Sequence, residues 1–160
     1  MSDLQAIADR VEIEALRGEF SDASMQRDWD RFASLFAPDG VWRMPHIDVE
    51  LVGRETIRAE VEGLRNTWAF FVQNTHPGMI RLEGDTAVGR AYIAELGRFR
   101  DGSSHLNYAL YHDRYRRTPE GWRFAERLYE VRYVDSAPLA GSGNEPGSEP
   151  EAGSVGGGAE

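Results

Sequence analysis

The chain has 160 residues, 41% of them apolar, which suits one domain with a real core. Its 18 basic and 27 acidic residues give a net charge of −9, which argues against nucleic acid or an anionic membrane surface as partner. It has no cysteine and its 18 basic residues are all arginine, so disulfides, thiol nucleophiles, thiolate metal sites, Schiff-base chemistry and a lysine base are excluded.

The predicted elements run as follows. Ser2 with Gln5 reads as a helix start. Leu4, Ile7, Val11 and Ala15 form one apolar stripe at spacings of three and four, and Ile13, Leu16, Phe20 and Ala23 form a second. A helix apolar on two sides is expected to be buried on two sides. Continued, the first stripe reaches Asp22 and Met25, which puts an acid on a face expected to be buried. A second helix carries Trp29, Phe32, Leu35 and Phe36 and stops at Ala37-Pro38-Asp39-Gly40. Short extended pieces follow at Val41 to Met44 and Glu50 to Val52. A third helix then carries Ile57, Val61, Leu64 and Trp68.

The second half is strand-rich. Phe70 to Leu82, Thr86 to Arg100, Ser104 to Arg117 and Trp122 to Val134 are separated by short turns, which implies antiparallel neighbours. Three helices followed by a meander is an α+β pattern. Long antiparallel strands bend, and a bent sheet closed by helices leaves a cavity. Residues 1–140 form the domain. Residues 141–160 are Gly, Ser, Pro and Glu with one large apolar residue, and read as a flexible tail. No apolar run reaches the roughly 18 residues of a membrane span. No signal pattern opens the chain. A cytoplasmic protein is expected.

Several motifs carry a family likeness. They are Ile13-Glu14-Ala15-Leu16, Arg27-Asp28-Trp29-Asp30-Arg31-Phe32, Leu35-Phe36-Ala37-Pro38-Asp39-Gly40, Asn74-Thr75-His76, Leu82-Glu83-Gly84-Asp85-Thr86-Ala87 and Gly121-Trp122-Arg123-Phe124. Together they resemble the SnoaL-like branch of the nuclear transport factor 2-like superfamily, over roughly residues 4–140. The resemblance implies a cone-shaped, cystatin-like fold of three helices on a strongly curved, mostly antiparallel sheet. It also implies a homodimer and a pocket without metal or cofactor, in which acid–base groups move protons on an apolar small molecule. Polyketide cyclases, scytalone dehydratase, bile-acid dehydratase, a hexachlorocyclohexane dehydrochlorinase and ketosteroid isomerase share that logic. One fold hosts many chemistries, so the site must decide among them.

The resemblance assigns His76 to the family's strand histidine, a general acid–base. Its usual partner, an Asp three residues before the Asp-Trp of the second helix, is Met25 here. The nearby dehydratase Tyr is Phe20. Asp22, one turn earlier, either orients His76, acts as base, or is a surface acid paired with Arg. Glu95 stands where some dehydratase relatives carry an acid. Its strand places Ala87, Gly89, Ala91 and Ile93 on one small apolar face, and Glu95 is either a second acid–base group or a salt-bridge partner. Arg127 stands where dehydrochlorinase-like relatives carry Arg, and binds either an anion or a neighbouring acid. His105, Asn107, Ala109, Tyr111 and Asp113 share one strand face, and Asn107 with Tyr111 either pack across strands or hold a substrate carbonyl or enolate. His46 and His112 read as surface residues. The expected activity is cyclisation, dehydration or isomerisation of a polyketide- or terpenoid-like molecule. The alternatives are a non-catalytic binding or dimerisation protein, and an epoxide hydrolase using Asp22, Glu95 and Arg127.

Overall fold

The computed structural model describes residues 2–147. Helix α1 spans Asp3–Met25, capped by the Ser2 hydroxyl, which accepts from the Gln5 N–H at 3.2 Å. Helix α2 is short, Trp29–Ser34. Strands β1 (Phe36–Met44) and β2 (Val49–Val52) flank a single 3-10 turn, and helix α3 spans Arg54–Arg65. Four long strands follow: β3 (Trp68–Glu83), β4 (Thr86–Phe99), β5 (Ser104–Thr118) and β6 (Gly121–Asp135). All six strands form one sheet in the order β2-β1-β6-β5-β4-β3. Only β1 against β6 is parallel. The helices pack on one face of this sheet, and the expected α+β architecture is the one found. Among the described residues, no helix is long and apolar enough to cross a membrane.

Two element boundaries differ from expectation. Ala37-Pro38-Asp39-Gly40 does not end the second helix. Its register to β6 shifts between Phe36 and Val41, and the irregularity accommodates Pro38 inside β1. Trp68 opens β3 rather than extending the third helix.

Helix α1 is buried on one side only. Ile13, Leu16, Phe20 and Ala23 are core, while Leu4, Ile7 and Val11 are 79%, 57% and 64% exposed. Its buried polar residues tie it to the sheet. Asp9, 1% exposed, accepts from Arg117 Nη1 and Nη2 at 2.8 Å each and from Trp122 Nε1 at 3.0 Å. The Arg117 hydrogen bonds hold its carboxyl at about 2, against the opposing effect of burial. A depressed folded pKa adds stability that is complete above the ordinary 3.8 and disappears as pH falls through about 2. Asp9→Asn is therefore expected to cost about 1–3 kcal/mol at neutral pH in urea denaturation, and to flatten the acid limb of the stability profile.

Glycine shapes the open end of the cone. A Cβ on Gly97 would lie 2.5 Å from the Phe70 carbonyl and 2.7 Å from the Trp68 ring. Trp68 can lie flat there, stacked on Phe99 with ring centroids 3.9 Å apart. Gly97→Ala should lower stability by about 1–3 kcal/mol, visible as a reduced denaturation midpoint.

Past β6 the chain lies back over β3 and β4. Arg98 Nη2 donates to the carbonyls of Leu139 at 2.9 Å and Gly141 at 3.1 Å. Gly143 packs so closely on Phe70 that a Cβ would meet the ring at 2.1 Å. Residues 141–147, read from composition as the start of a flexible tail, occupy this strip. The rest of that segment, 148–160, lies outside the described residues.

Candidate active site

The helices and the inner sheet face enclose a cavity of about 220 Å³. Its wall is mainly aromatic, with Phe20, Phe32, Trp42, Trp68, Phe71 and Phe99 among the lining residues. Among the described residues one carboxyl group faces it, that of Glu95.

Glu95 sits at the centre of a cross-strand row. Gln73 on β3 is in register with Glu95 on β4, which is in register with Asn107 on β5. Gln73 Nε2 donates to Glu95 Oε2 at 3.2 Å, and Asn107 Nδ2 donates to Oε1 at 3.3 Å. The Tyr129 hydroxyl, from β6, donates to Oε1 and also accepts from Asn107 Nδ2. Burial pushes the Glu95 carboxyl up to about 7. The hydrogen bonds from Gln73 and Asn107 and the Arg65 charge oppose that rise without cancelling it. At neutral pH the group is thus present in both protonation states, as a general base or acid requires.

A proton donor stands nearby. Tyr111 is 2% exposed, lines the cavity and packs against Tyr129 with centroids 5.1 Å apart. Trp42 Nε1 donates to its oxygen at 3.1 Å, which leaves the phenolic proton available. Burial raises the Tyr111 pKa, so it stays protonated and can donate to an oxygen that gains negative charge. Asn107 Oδ1 has no partner among the described residues and offers an acceptor.

The other anticipated residues fall elsewhere. His76 is exposed and does not line the cavity. The residue beside Met25 is Gln73, whose backbone N–H donates to Met25 Sδ at 3.2 Å. An amide therefore occupies the inward place for which an imidazole was expected. Asp22 is exposed and paired with Arg31, because the stripe that carries it faces solvent. Arg127 is fully buried behind the wall, bonded to Asp113 at 2.7 and 3.0 Å, and stacked on Phe20, Tyr111 and Phe124. It supports the wall and is not presented to a ligand. Asp22, Glu95 and Arg127 do not converge, so the arrangement an epoxide hydrolase needs is missing. Phe20 does line the cavity, 1% exposed, with Glu95, Asn107 and Tyr111.

Sequence reasoning missed Gln73, Tyr129, Arg65 and His46, and placed His105 on the cavity face of β5 without a role. His46 and His105 both line the cavity, and His46 stacks on Tyr129 at 4.9 Å. Burial lowers both imidazole pKa values, and the charge of His105 adds to the effect on His46. Tyr129 was findable, since it lies two residues beyond Arg127 on the same strand face.

Comparison with known proteins bears on the family and the fold. The family model for the SnoaL-like domain matches residues 5–128. A γ-hexachlorocyclohexane dehydrochlorinase of Sphingobium indicum is 30% identical over 148 residues, spanning 88% of this chain and 90% of its own. An uncharacterized protein of Mycobacterium tuberculosis is 28% identical over 138 residues, spanning 80% of this chain and 88% of its own. The crystal structure of hexachlorocyclohexane dehydrochlorinase LinA-type3 from Novosphingobium barchaimii superposes with a TM-score of 0.79 at 25% identity, covering 91% of this chain and 99% of that one. The chain belongs to the SnoaL-like domain family, within the nuclear transport factor 2-like superfamily.

Proposed function

We propose that the protein is a cofactor-free lyase or isomerase in which Glu95 removes a proton from carbon beside a carbonyl of a flat, mostly apolar, polyketide- or terpenoid-like molecule. Tyr111 donates a hydrogen bond to the oxygen that becomes negative. Gln73, Asn107 and Tyr129 fix the carboxyl. The proton then returns at another carbon, giving isomerisation, or the electron pair expels a leaving group, giving elimination. The observation that carries this reading is a desolvated carboxyl, hydrogen-bonded by Gln73, Asn107 and Tyr129, in an aromatic cavity. A relative named as a dehydrochlorinase is consistent with it.

The test uses 2-tetralone, a bicyclic ketone with acidic C–H bonds, in D2O. Mass spectrometry should show faster α-deuteration with the protein than without it, and no acceleration with Glu95→Gln. A second reading, binding without turnover, is favoured by Met25 and Gln73 standing where acid–base partners were expected. Tight binding of such ketones with no accelerated exchange would select it.

A further inference from the structure

Among the described residues Arg65 is the guanidinium that lines the cavity, and its bonding is incomplete. It occupies the last turn of α3, one turn beyond Val61, and is 5% exposed. Its guanidinium stacks over the Phe71 ring at 4.5 Å. Nη2 donates to the Phe71 carbonyl at 3.4 Å and to Glu145 Oε1 at 2.8 Å. Nε and Nη1 are buried and meet no acceptor among the described residues. Unused donors on a buried cation are costly, and burial accordingly lowers the Arg65 pKa.

Among the described residues the local charge is also unbalanced. Glu145 serves Arg65 and, at 3.9 Å, Arg27 as well. One carboxylate therefore stands between two guanidinium groups. Glu95 is close enough to sense the Arg65 charge, but its own carboxyl is largely desolvated and only partly ionised at neutral pH.

We infer that Arg65 receives a carboxylate, or an equivalent anionic oxygen group, on the ligand of this cavity, so that the substrate class is an aromatic or polycyclic acid rather than a neutral hydrocarbon skeleton. This rests on reading the cavity as a ligand site. Arg65 and Glu95 are linked through Phe71 and Gln73, alternate inward residues of β3, so an acid held by Arg65 extends its ring along the aromatic wall toward the base. Guanidinium suits this task because it stays charged when buried and binds carboxylate directionally.

The experiment measures calorimetric binding of 2-naphthoate and 2-naphthamide, which share a ring system and differ in charge. The intact protein should bind the acid at least about tenfold tighter. Arg65→Gln should abolish that preference while leaving amide binding in place. Glu145→Gln, which removes the competing carboxylate, should tighten acid binding several-fold and leave the amide unchanged. It also reports if Arg65→Gln fails to fold. Equal affinity for acid and amide, or a preference that survives Arg65→Gln, overturns the assignment while the cavity reading stands. Binding of neither probe overturns the cavity reading itself.

Discussion

Glu95→Gln is expected to lower turnover by about 10²–10⁴-fold, because the only carboxyl that lines the cavity among the described residues is replaced by a group that cannot accept a proton. Gln retains the shape and can still meet Asn107 and Gln73, so ligand affinity should fall much less than turnover. Rate over KM in the intact protein should rise with pH through about 7, since the base must be deprotonated. Glu95→Asp should keep part of the activity, with the carboxyl withdrawn from the Tyr129 hydroxyl. Unchanged turnover in Glu95→Gln, on any substrate the intact protein transforms, would remove Glu95 from the chemistry.

The same substitution has a stability signature of the opposite sign. The folded pKa of about 7 lies above the ordinary 4.5. Between these values the folded chain holds a proton that the unfolded chain has released, so stability declines as pH rises across that window. The full decline is at most about 3.5 kcal/mol. Glu95→Gln lacks this titration. Its stability relative to the intact protein should increase from pH 4.5 to pH 7 and level off above. Urea midpoints at pH 5 and pH 8 read the difference. A catalytic group held in an unfavourable state is a common origin of activity lost in exchange for stability.

The contrast between His76 and Gln73 shows where sequence reading stops. The inward face of β3 near its turn carries Ile80 and Leu82, both packed against the core. The family resemblance put His76 in the pocket, and strict alternation from Ile80 and Leu82 carries residue 76 to that same inward face. Between His76 and Met79, however, Pro77 and Gly78 together oppose Ala91 alone. This is a bulge, a place that tolerates proline. The backbones come so close there that a Cβ on Gly78 would meet the Arg90 carbonyl at 1.9 Å. The bulge reverses the phase, so Thr75, Gln73 and Phe71 point inward. No such irregularity interrupts β4, and there alternation placed Glu95 on the cavity face from Ala87 onward. The face of β5 carrying Asn107, Ala109 and Tyr111 was legible for the same reason. Helix periodicity was less informative on α1. Leu4, Ile7 and Val11 have the spacing of a core face, yet the helix meets the sheet along the other side, and Asp22 goes to solvent with them. The parallel pairing of β1 with β6 left no local mark, because residues far apart in sequence decide it.

The second large effect concerns the ion pair behind the cavity wall. Asp113→Asn is expected to cost about 3–5 kcal/mol, measured by urea denaturation at pH 7. Asp113 and Arg127 have side chains with 0% exposure, so removing one charge strands the other away from water. Asp113 also accepts from the Tyr115 hydroxyl at 2.6 Å, and that hydroxyl accepts from Arg17 Nε at 2.7 Å, so the loss spreads to α1. The three ring centroids around Arg127 lie within 4.4 Å of the guanidinium carbon, an apolar cage that an uncharged side chain can also fill. The double replacement Asp113→Leu with Arg127→Met removes both charges and keeps the volume. It should recover most of the stability lost in Asp113→Asn, because desolvating the two ions costs nearly as much as their attraction returns. Ligand affinity gives a second readout. Phe20 and Tyr111 hold the wall through Arg127, so Asp113→Asn should loosen that wall and weaken ligand binding even where the protein remains folded. A cost below about 1 kcal/mol for Asp113→Asn would mean that water reaches the pair, and that packing alone supports the wall.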